Sequence, residues 1–565
     1  MKKRLKPAKN YGPKTNKIIE QGAIIKKGKG LIRTALVYPN SYKAGMSSLG
    51  FQTVYKIANQ IDNVACERVF WTDPKQKTQR FRSACDLQVK SLESGLNLNQ
   101  FDIILFSISF ENDFINLVQL LGEAGIPLRS SDRNHIHPLV VAGGVACFLN
   151  PEPIAPFIDI FLLGEAECLL ETFFTVVSKK TDRNSFLQTL ENKIPGAYVP
   201  CFHTGQNPFQ IKVQYLENLD TVTTATTILT TETAFKDTFL IETLKGCPHG
   251  CRFCSAGFIY RPPRIYPAQN IYTAMDKAFG KTDKIGLVSS AVADHPEITN
   301  ICDYGLKLNF KLSFSSLRAD KLTDELICAL SASKVKTATI APEAGSARMR
   351  NIINKKIEKQ DMLSATQRLV SAGIMNLRLY FMIGLPFEQD KDVQAIVELT
   401  KEIKAIFLKA SKKKKKIGTI TLSVNPFIPK PGTPFQWAAM ENEKVLKLRI
   451  NIIKQGLKKI ANVKVNFESL RKAKIHALLS RGDQKTADII ESAQKNGWAS
   501  ALRNNKAYCH SIIYQKKAVD TPLPWDFLDN RVKKEFLAKE FSRARQEKKS
   551  ASCPMIDCNR CNTCI

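Results

Sequence analysis

The chain has 565 residues, of which 44% are hydrophobic and 8% aromatic, and this length provides for about three domains, each with a core of its own. It contains no apolar stretch of the ~18 residues that a membrane helix needs, and residues 1–7 lack the apolar core of a signal peptide, so we expect a cytoplasmic protein and no membrane partner. The 83 Lys and Arg against 52 Asp and Glu give a formal net charge of +31. This charge suggests RNA as a partner, but a host whose proteins are rich in Lys would produce the same excess without RNA binding.

Two basic blocks stand out along the chain. Up to Arg33 there are eleven basic residues and a single acid, Glu20, and residues 1–30 are predicted to be a basic extension that is disordered or loosely attached. A second block, Lys412 to Lys416, is predicted to lie in a surface loop.

Residues 31–185 are predicted to form the first domain. Apolar runs predict strands at 31–39, 101–109, 138–144 and 157–164, and the segments 49–60, 112–124 and 165–179 are predicted to be helices. Strands that alternate with helices predict a doubly wound parallel sheet. The ligand site of such a sheet lies at the carboxyl ends of its strands.

The catalytic domain is predicted at 236–440, after a β-rich connector at 186–235. Its six predicted strands lie at 238–244, 284–290, 311–316, 337–341, 376–384 and 418–424. Six strands separated by helices predict a partial (β/α)6 barrel of the TIM type, in which functional groups gather at the carboxyl face. A mixed helical region at 441–545 and a four-cysteine tail at 546–565 complete a chain of predicted α/β class.

The most informative motif follows the first strand of this barrel. Cys247, Cys251 and Cys254 form a C-x3-C-x2-C cluster in one tight loop. Three thiolates from one loop can hold three corners of a 4Fe-4S cluster and leave the fourth iron open to another ligand. A zinc knuckle is the alternative, with His249 inside the loop as a candidate ligand, but the glycines, Phe253 and the preceding apolar strand favour the iron-sulfur site.

A second cysteine cluster lies in the tail. Its four members are spaced C-x4-C-x2-C-x2-C, at Cys553, Cys558, Cys561 and Cys564. Four thiolates suit either an all-cysteine zinc site or an auxiliary iron-sulfur cluster, so we predict a second metal centre whose metal the spacing does not choose. Seven of the fifteen cysteines thus fall into two clusters, which indicates metal ligation in a reducing compartment rather than disulfide bonds.

The cysteine loop and the segments that follow it resemble the radical S-adenosylmethionine (radical SAM) family. Beyond the loop, the resemblance rests on Ala341 to Gly345 and Gly384 to Glu388. It implies that the open iron binds S-adenosylmethionine and that one electron from the cluster cleaves it to a 5'-deoxyadenosyl radical. It also implies a set of residues that contact S-adenosylmethionine: Phe253, Ser315, Arg318, Glu343 and Gly384.

Two segments of the first domain extend the resemblance. Residues 142–152 and 163–167 resemble the two signatures of cobalamin-binding domains fused to radical SAM enzymes. The resemblance implies cobalamin at Ser107, Gly143, Gly144, Gly164 and Glu165, with the glycines giving the flat macrocycle close access to the backbone. One departure is clear: residues 39–45 lack the His that ligates cobalt in many such domains. The cofactor then binds without that ligand, or the pocket has lost it.

From residue 31 to 565 the chain is thereby similar to a bacterial family of radical SAM proteins with an N-terminal cobalamin-binding-like domain and a C-terminal cysteine cluster. This implies cobalamin-dependent methylation or related functionalisation of a C–H bond, with a reductant such as flavodoxin or ferredoxin, while the substrate and the catalytic side chains stay unknown. An alternative is methylthiolation of a tRNA base or ribosomal protein. A third possibility, of another class, is a non-catalytic RNA-binding or redox-sensing protein.

Overall fold

The computed structural model describes residues 10–11, 18–72, 89–177, 183–203, 209–412, 417–556 and 558–564. Its first ten strands are β1 (Asn10–Tyr11), β2 (Ile18–Gln21), β3 (Ile32–Tyr38), β4 (Val64–Phe70), β5 (Ile103–Ser107), β6 (Leu139–Gly143), β7 (Ile160–Leu162), β8 (Ala197–Tyr198), β9 (Ile211–Lys212) and β10 (Leu229–Thr230). The helices of this part are α1 (Tyr42–Gly45), α2 (Leu49–Gln60), α3 (Phe114–Glu123), α4 (Val145–Leu149), α5 (Ala166–Val177) and α6 (Arg183–Lys193).

The second half of the chain contains ten further strands: β11 (Phe239–Glu242), β12 (Leu244–Lys245), β13 (Arg264–Ile265), β14 (Lys284–Val288), β15 (Lys311–Phe314), β16 (Thr337–Glu343), β17 (Asn376–Ile383), β18 (Ile420–Pro426), β19 (Val463–Phe467) and β20 (Leu528–Asp529). Its helices are α7 (Ala268–Ala278), α8 (Ile298–Lys307), α9 (Asp324–Ala332), α10 (Ala347–Ile352), α11 (Lys359–Ser371), α12 (Asp390–Lys412), α13 (Glu443–Leu457), α14 (Leu470–Arg481), α15 (Thr486–Asn504), α16 (Lys506–Tyr514) and α17 (Lys534–Arg545).

The N-terminal region is built on one six-stranded sheet. Its strand order is β4-β3-β5-β6-β7-β8, and every neighbouring pair is parallel except β7 and β8. Buried residues alternate between the two faces of β3, since Ala35 and Val37 belong to one apolar cluster and Leu36 and Tyr38 to another. A parallel sheet needs cover on both faces, and these two clusters provide it.

The apolar cluster on one face of this sheet does not belong to the N-terminal region alone. Besides Ala35 and Val37 it contains Trp437, Leu479 and Trp525 from the far end of the chain. The expectation that each domain has a core of its own is therefore wrong for this face. Sequence periodicity identifies apolar faces but does not show which partner covers them.

The barrel region differs from the prediction in two respects. Seven strands line it, because β19 joins the six predicted ones, and the described strands form two parallel sheets, β11-β14-β15 and β16-β17-β18-β19. The hydrogen-bonded ladder is interrupted between β15 and β16. The predicted (β/α)6 barrel is thus corrected to a seven-stranded, split arrangement.

The segment from Ile18 onward also corrects a prediction, since residues 1–30 were expected to be disordered or loosely attached. Strand β2 pairs with β10, and Glu20 lies buried against Arg68 with an oxygen-to-nitrogen distance of 2.7 Å. Arg68 is fully buried and also contacts Glu93 at 2.6 Å. A buried ion pair is costly to break, so this part of the extension is fixed to the domain.

No helix among the described residues combines the length and the apolar character that crossing a membrane requires.

Candidate functional site

The cysteine loop lies at the carboxyl end of β11, where backbone contacts hold its shape. The Cys254 N–H donates to the Cys251 carbonyl at 3.0 Å, and the Arg252 N–H donates to the carbonyl of Ile353 at 3.0 Å. Asn354 adds a side-chain hydrogen bond of 2.9 Å to the Gly250 carbonyl. The loop is therefore fixed both within itself and against the segment after α10.

The three thiols lie close enough to influence one another. Burial, with a smaller contribution from the neighbouring Cys251, raises the pKa of Cys247 to about 12 and that of Cys254 to about 11. Among the described residues, no group of three or more His, Cys, Asp or Glu side chains converges tightly enough for one metal ion. A zinc ion would draw its sulfur ligands to about 3.8 Å from one another.

Charged side chains surround the loop. His249 Nε2 lies 2.9 Å from Asp294, and Lys355 Nζ lies 3.2 Å from Glu343. Burial lowers the pKa of Lys355, but the negative charges of Glu343 and Cys251 outweigh burial and raise this pKa above its ordinary value. This cation beside the thiols suits a site that must hold negative charge.

The residues predicted to contact S-adenosylmethionine are spread around this loop. Glu343 ends β16 with a positive φ of 65°, a conformation that is strained for a side chain other than glycine and is frequent at functional sites. Phe253 packs in an apolar cluster with Leu385 and Phe427 at the carboxyl ends of the second sheet. Ser315 hydrogen-bonds to both the N–H and the carbonyl of Ser289, at 3.0 and 2.8 Å.

The two remaining residues of this set already have partners within the chain. Arg318 donates to Asp320 at 3.0 Å and to the Lys355 carbonyl at 3.0 Å. The Gly384 N–H donates to Glu388 at 2.6 Å, and its φ of 78° requires glycine. Their positions stay compatible with the prediction, but the structure gives each a local role of its own.

A cavity of about 540 Å³ lies between the N-terminal sheet and the barrel, which is within the usual size range of cofactor pockets. The residues predicted to bind cobalamin all line it, and Ser315 lines it from the barrel side: Ser107, Gly143, Gly144, Gly164, Glu165 and Ser315. Its floor is apolar, with Leu105, Leu162 and Leu170 among the lining residues. The structure thus brings the carboxyl ends of both sheets to one space.

Two glycines of this cavity lie close to the chain's own backbone. A Cβ on Gly144 would lie 2.5 Å from the carbonyl oxygen of Ile108, and one on Gly164 would lie 2.2 Å from that of Gln214. Both have positive φ, 102° and 144°. Glycine is therefore required at both positions by the fold itself, and the predicted contact of these glycines with cobalamin stays a prediction.

Glu165 is likewise engaged within the protein. It accepts two hydrogen bonds from Arg264, at 2.7 and 3.0 Å, and one from the Leu216 N–H at 2.9 Å. Since Glu165 follows β7 and Arg264 belongs to β13, this buried pair joins the N-terminal sheet to the segment after the cysteine loop. Its geometry is bidentate, the strong form of an Arg–carboxylate contact.

Sequence reasoning missed a polar wall of the same cavity, formed by Glu167, Glu242, Lys245 and Tyr260. Lys245 Nζ stands 3.5 Å from both Glu167 and Glu242 and forms no hydrogen bond with a described residue. Burial opposes its charge, but the carboxylates outweigh burial and raise the pKa of Lys245 well above its ordinary value. The available signal was a Lys directly before Gly246 and Cys247, after a strand that ends in a Glu.

The cysteine tail lies against the cysteine loop. The Cys553 N–H donates to the Pro248 carbonyl at 2.8 Å. Cys561 and Cys564 flank the Thr563 hydroxyl, at 3.1 and 3.8 Å, and both influence the pKa of Cys553, which burial raises. Their donor chemistry and proximity fit a metal centre, although these side chains, like those of the loop, do not converge on one ion among the described residues.

Two family models match this chain. Residues 50–200 match the model described as "Radical SAM proteins, N-terminal", and residues 241–400 match the radical SAM superfamily. An uncharacterized protein of Methanocaldococcus jannaschii is 31% identical over 483 residues, which is 85% of this chain and 95% of that protein. The chain therefore belongs to the radical SAM superfamily, a family of enzymes that use S-adenosylmethionine, a 4Fe-4S cluster, a reductant and a substrate.

Two solved structures match most of this chain, with low sequence identity and with TM-scores below 0.5. The radical SAM methyltransferase TsrM from Kitasatospora setae, with cobalamin and a 4Fe-4S cluster bound, has a TM-score of 0.46 and 11% identity, and the match covers 84% of this chain and 99% of that one. The cobalamin-dependent radical SAM enzyme OxsB has a TM-score of 0.43 and 14% identity, covering 92% and 79%. A likeness of this degree assigns neither cofactor nor reaction to this chain. Nothing in these matches supports an RNA partner.

Proposed function

We propose that this radical SAM enzyme binds cobalamin in the cavity between its two sheets and methylates an unactivated carbon of its substrate. The observation that carries the proposal is the cavity itself. It opens at the carboxyl ends of β5, β6 and β7 on one side and of β11 and β14 on the other, and Gly246, next to Cys247, lines it. A cofactor on the N-terminal sheet would face the barrel beside the cysteine loop.

The chain's own residues have distinct tasks in this account. Cys247, Cys251 and Cys254 hold the cluster, and Glu343 with Lys355 supplies charges next to it. A 4Fe-4S cluster held there would supply the electron for reductive cleavage of S-adenosylmethionine, and cobalamin in the cavity would supply methyl-transfer chemistry. Glu167, Glu242 and Lys245 present polar groups to whatever occupies the cavity, while Leu105, Leu162 and Leu170 exclude water from its floor.

Binding of cobalamin without a protein ligand to cobalt is part of the proposal. The cavity is lined by no His, Cys or Met side chain among the described residues. Lys245 is its single amine there, and the high pKa of Lys245 keeps that amine protonated, which removes the lone pair that a metal needs. Residues 39–45, where a ligating His would be expected, form α1 and the turn before it, outside the described lining.

The N-terminal cysteines favour methylation over methylthiolation. Cys66 and Cys147 are buried among apolar side chains, and Cys168 lies half-buried on α5; Cys85 falls outside the described residues. Thiols on a strand and two helices, buried in a core, are not placed to hold the auxiliary cluster that the methylthiolating family carries in its N-terminal domain.

Titration with hydroxocobalamin tests the proposal. We expect a protein-bound corrin spectrum that survives dialysis. After titanium(III) citrate has supplied the two electrons that reduce the bound Co(III) corrin to the Co(I) form, the labelled methyl group of S-adenosylmethionine should be transferred to cobalt, with S-adenosylhomocysteine as the leaving group. Thr53→Trp, which fills the cavity from α2, should abolish binding, while Gln60→Trp on the exposed end of the same helix should not. A fully dialysable corrin with an unshifted spectrum would contradict the proposal.

A further inference from the structure

The C-terminal part of the chain presents a strongly basic surface next to the cysteine loop. Between positions 533 and 560 there are eight Lys or Arg residues against four Asp or Glu. We call the exposed cations of this segment the basic face: Lys533, Lys539, Arg545, Lys548, Lys549 and Arg560. Of these, only Lys549 forms an ion pair with a described residue, Glu358 at 2.6 Å.

Most of the acids in this segment do not offset that charge. Glu540 is buried, with Arg252 at 3.1 Å, and Glu547 pairs with Arg348 at 2.8 Å. Asp557 lies outside the described residues, which leaves Glu535 as the exposed acid without a described partner. The basic face therefore carries a net positive potential that its own surroundings do not cancel.

Short contacts connect this face to the cysteine loop. Arg252, between Cys251 and Phe253, donates to the Lys548 carbonyl at 2.7 Å and to the Ser550 hydroxyl at 3.0 Å. Further along, the Cys553 N–H reaches the Pro248 carbonyl at 2.8 Å. A partner on the basic face would thus be separated from the loop by the tail alone.

Lys356 marks the same route. Its ammonium donates to the Ser552 hydroxyl at 3.2 Å, and the charges of both Cys251 and Arg560 influence its pKa. Lys356 is therefore within electrostatic range of a thiol of the cysteine loop and of an exposed cation of the basic face. By contrast, residues 533–564 contribute nothing to the described lining of the cavity between the sheets. The basic face and this cavity are therefore separate neighbours of the cysteine loop.

We propose that the basic face docks an acidic one-electron carrier protein, of the small iron-sulfur or flavin class, and that electrons enter the cysteine-loop cluster through the tail. In each transfer the carrier loses one electron and the cluster gains it, with no bond made or broken. The inference rests on the proposed function, since it assumes a cluster on Cys247, Cys251 and Cys254.

The composition of the face suits such a partner. Ile556 is 71% exposed and lines the same surface groove as Lys533 and Lys534, so an apolar side chain lies beside cations, a combination that is common in protein interfaces. Electrostatic attraction between a basic and an acidic surface raises association rates and weakens with salt. Carriers of this kind form small, transient contacts, for which one helix and a short tail provide enough surface.

Stopped-flow bleaching of the oxidised cluster, with a reduced acidic [2Fe-2S] ferredoxin as the probe, tests the inference. The test variant is Lys539→Glu, Lys548→Glu, Arg560→Glu, and the matched control is Lys281→Glu, Lys307→Glu, Lys334→Glu, three exposed lysines of the barrel. At low salt we expect the rate constant to fall by about tenfold or more in the test variant and to change less than about twofold in the control. High salt should reduce the difference in rate constant between the test variant and the control, because it screens the attraction between the two proteins.

Chemical reduction separates this inference from the function it rests on. Excess dithionite should bleach the cluster to the same final extent in the wild type and both variants. If dithionite reduces all three proteins and ferredoxin reduces the test variant as fast as the control, the basic face is not the docking site. If RNA binds to the basic face and the rate of reduction by ferredoxin is the same in all three proteins, the inference is also wrong. If dithionite yields no bleaching and no cleavage of S-adenosylmethionine in any of them, the proposed function itself has failed.

Discussion

Among single residues, Arg252 has the most consequential contacts around the cysteine loop. It is fully buried, contacts Glu540 at 3.1 Å, and donates to the backbone carbonyls of Ile352 and Lys548 at 2.8 and 2.7 Å. Its position inside the cysteine motif was visible in the sequence. Its contacts with Glu540 and Ser550, which lie 288 and 298 residues further along the chain, were not. A motif identifies the loop, whereas the tertiary structure decides what anchors it.

Replacement of Arg252 by Met should lower the free energy of unfolding by about 3–5 kcal/mol, because Glu540 would stay buried without its partner. Urea unfolding under anaerobic conditions measures this change. Arg545→Met, on an exposed site of the same C-terminal helix, is the control and should cost less than about 0.5 kcal/mol. Equal losses in the two variants would show that the anchor contributes nothing particular.

Asp113 gives a pH-dependent prediction. Burial raises its pKa to about 6, while Asn40 donates to one oxygen at 2.7 Å and the other oxygen has no hydrogen-bond partner among the residues that the structure describes. A raised pKa means that the folded state holds the proton longer than the unfolded state, so stability falls as pH rises between about 4 and 7. Relative to Asp113→Asn, the wild type should lose up to about 3 kcal/mol across this range.

Unfolding free energies at pH 4, 5, 6 and 7 measure this difference. Asp62→Asn, at an exposed site, serves as the control and should follow the wild type at every pH. A constant difference between the wild type and Asp113→Asn across the range would show that Asp113 titrates at its ordinary pKa.

At the scale of elements, long apolar strands were predictable and short or charged ones were not. Helix α2 has the predicted bounds, 49–60, and β3, β5 and β6 fall within one or two residues of the predicted strands. Strand β4 was missed because Glu67 and Arg68 lie in it, and their partners are distant in sequence: Ser91 donates to Glu67, and Arg68 pairs with Glu20 and Glu93. Strand β19 was missed because its edge position exposes Lys464 and Asn466.

The cysteine tail is the element whose chemistry stays a prediction. With Cys553, Cys558, Cys561 and Cys564 all changed to Ser, the reconstituted protein should lose the iron or zinc of one centre and still cleave S-adenosylmethionine with dithionite as reductant. Deletion of residues 550–565 should remove the same metal but also weaken cleavage, because Ser550 and Cys553 brace the cysteine loop. Elemental analysis of anaerobic protein measures the metal. Unchanged iron and zinc in both variants would mean that the tail binds none.

At the scale of the whole molecule, the fold brings two strand-end sites into one cavity. The sequence predicted strands in both regions, and Ser107, Gly143 and Ser315, near the ends of three of them, all line the shared space. It could not predict the shared core, in which Trp437 and Leu479 cover the N-terminal sheet, or the buried pair of Glu165 and Arg264. The shared core and the buried pair both depend on how the N-terminal region packs against the rest of the chain. Hydrophobic periodicity along the sequence carries no information about that packing.

Cleavage of S-adenosylmethionine by the reduced protein tests the central claim, that Cys247, Cys251 and Cys254 hold a catalytic cluster, most directly. The anaerobically reconstituted wild type with dithionite should release 5'-deoxyadenosine, and the triple Ala variant should lose one cluster's iron together with all of that release. Cys66→Ala, Cys147→Ala and Cys302→Ala, at three buried thiols outside the loop, should leave both unchanged. Release of 5'-deoxyadenosine at the wild-type rate by the triple Ala variant of the loop would contradict the account.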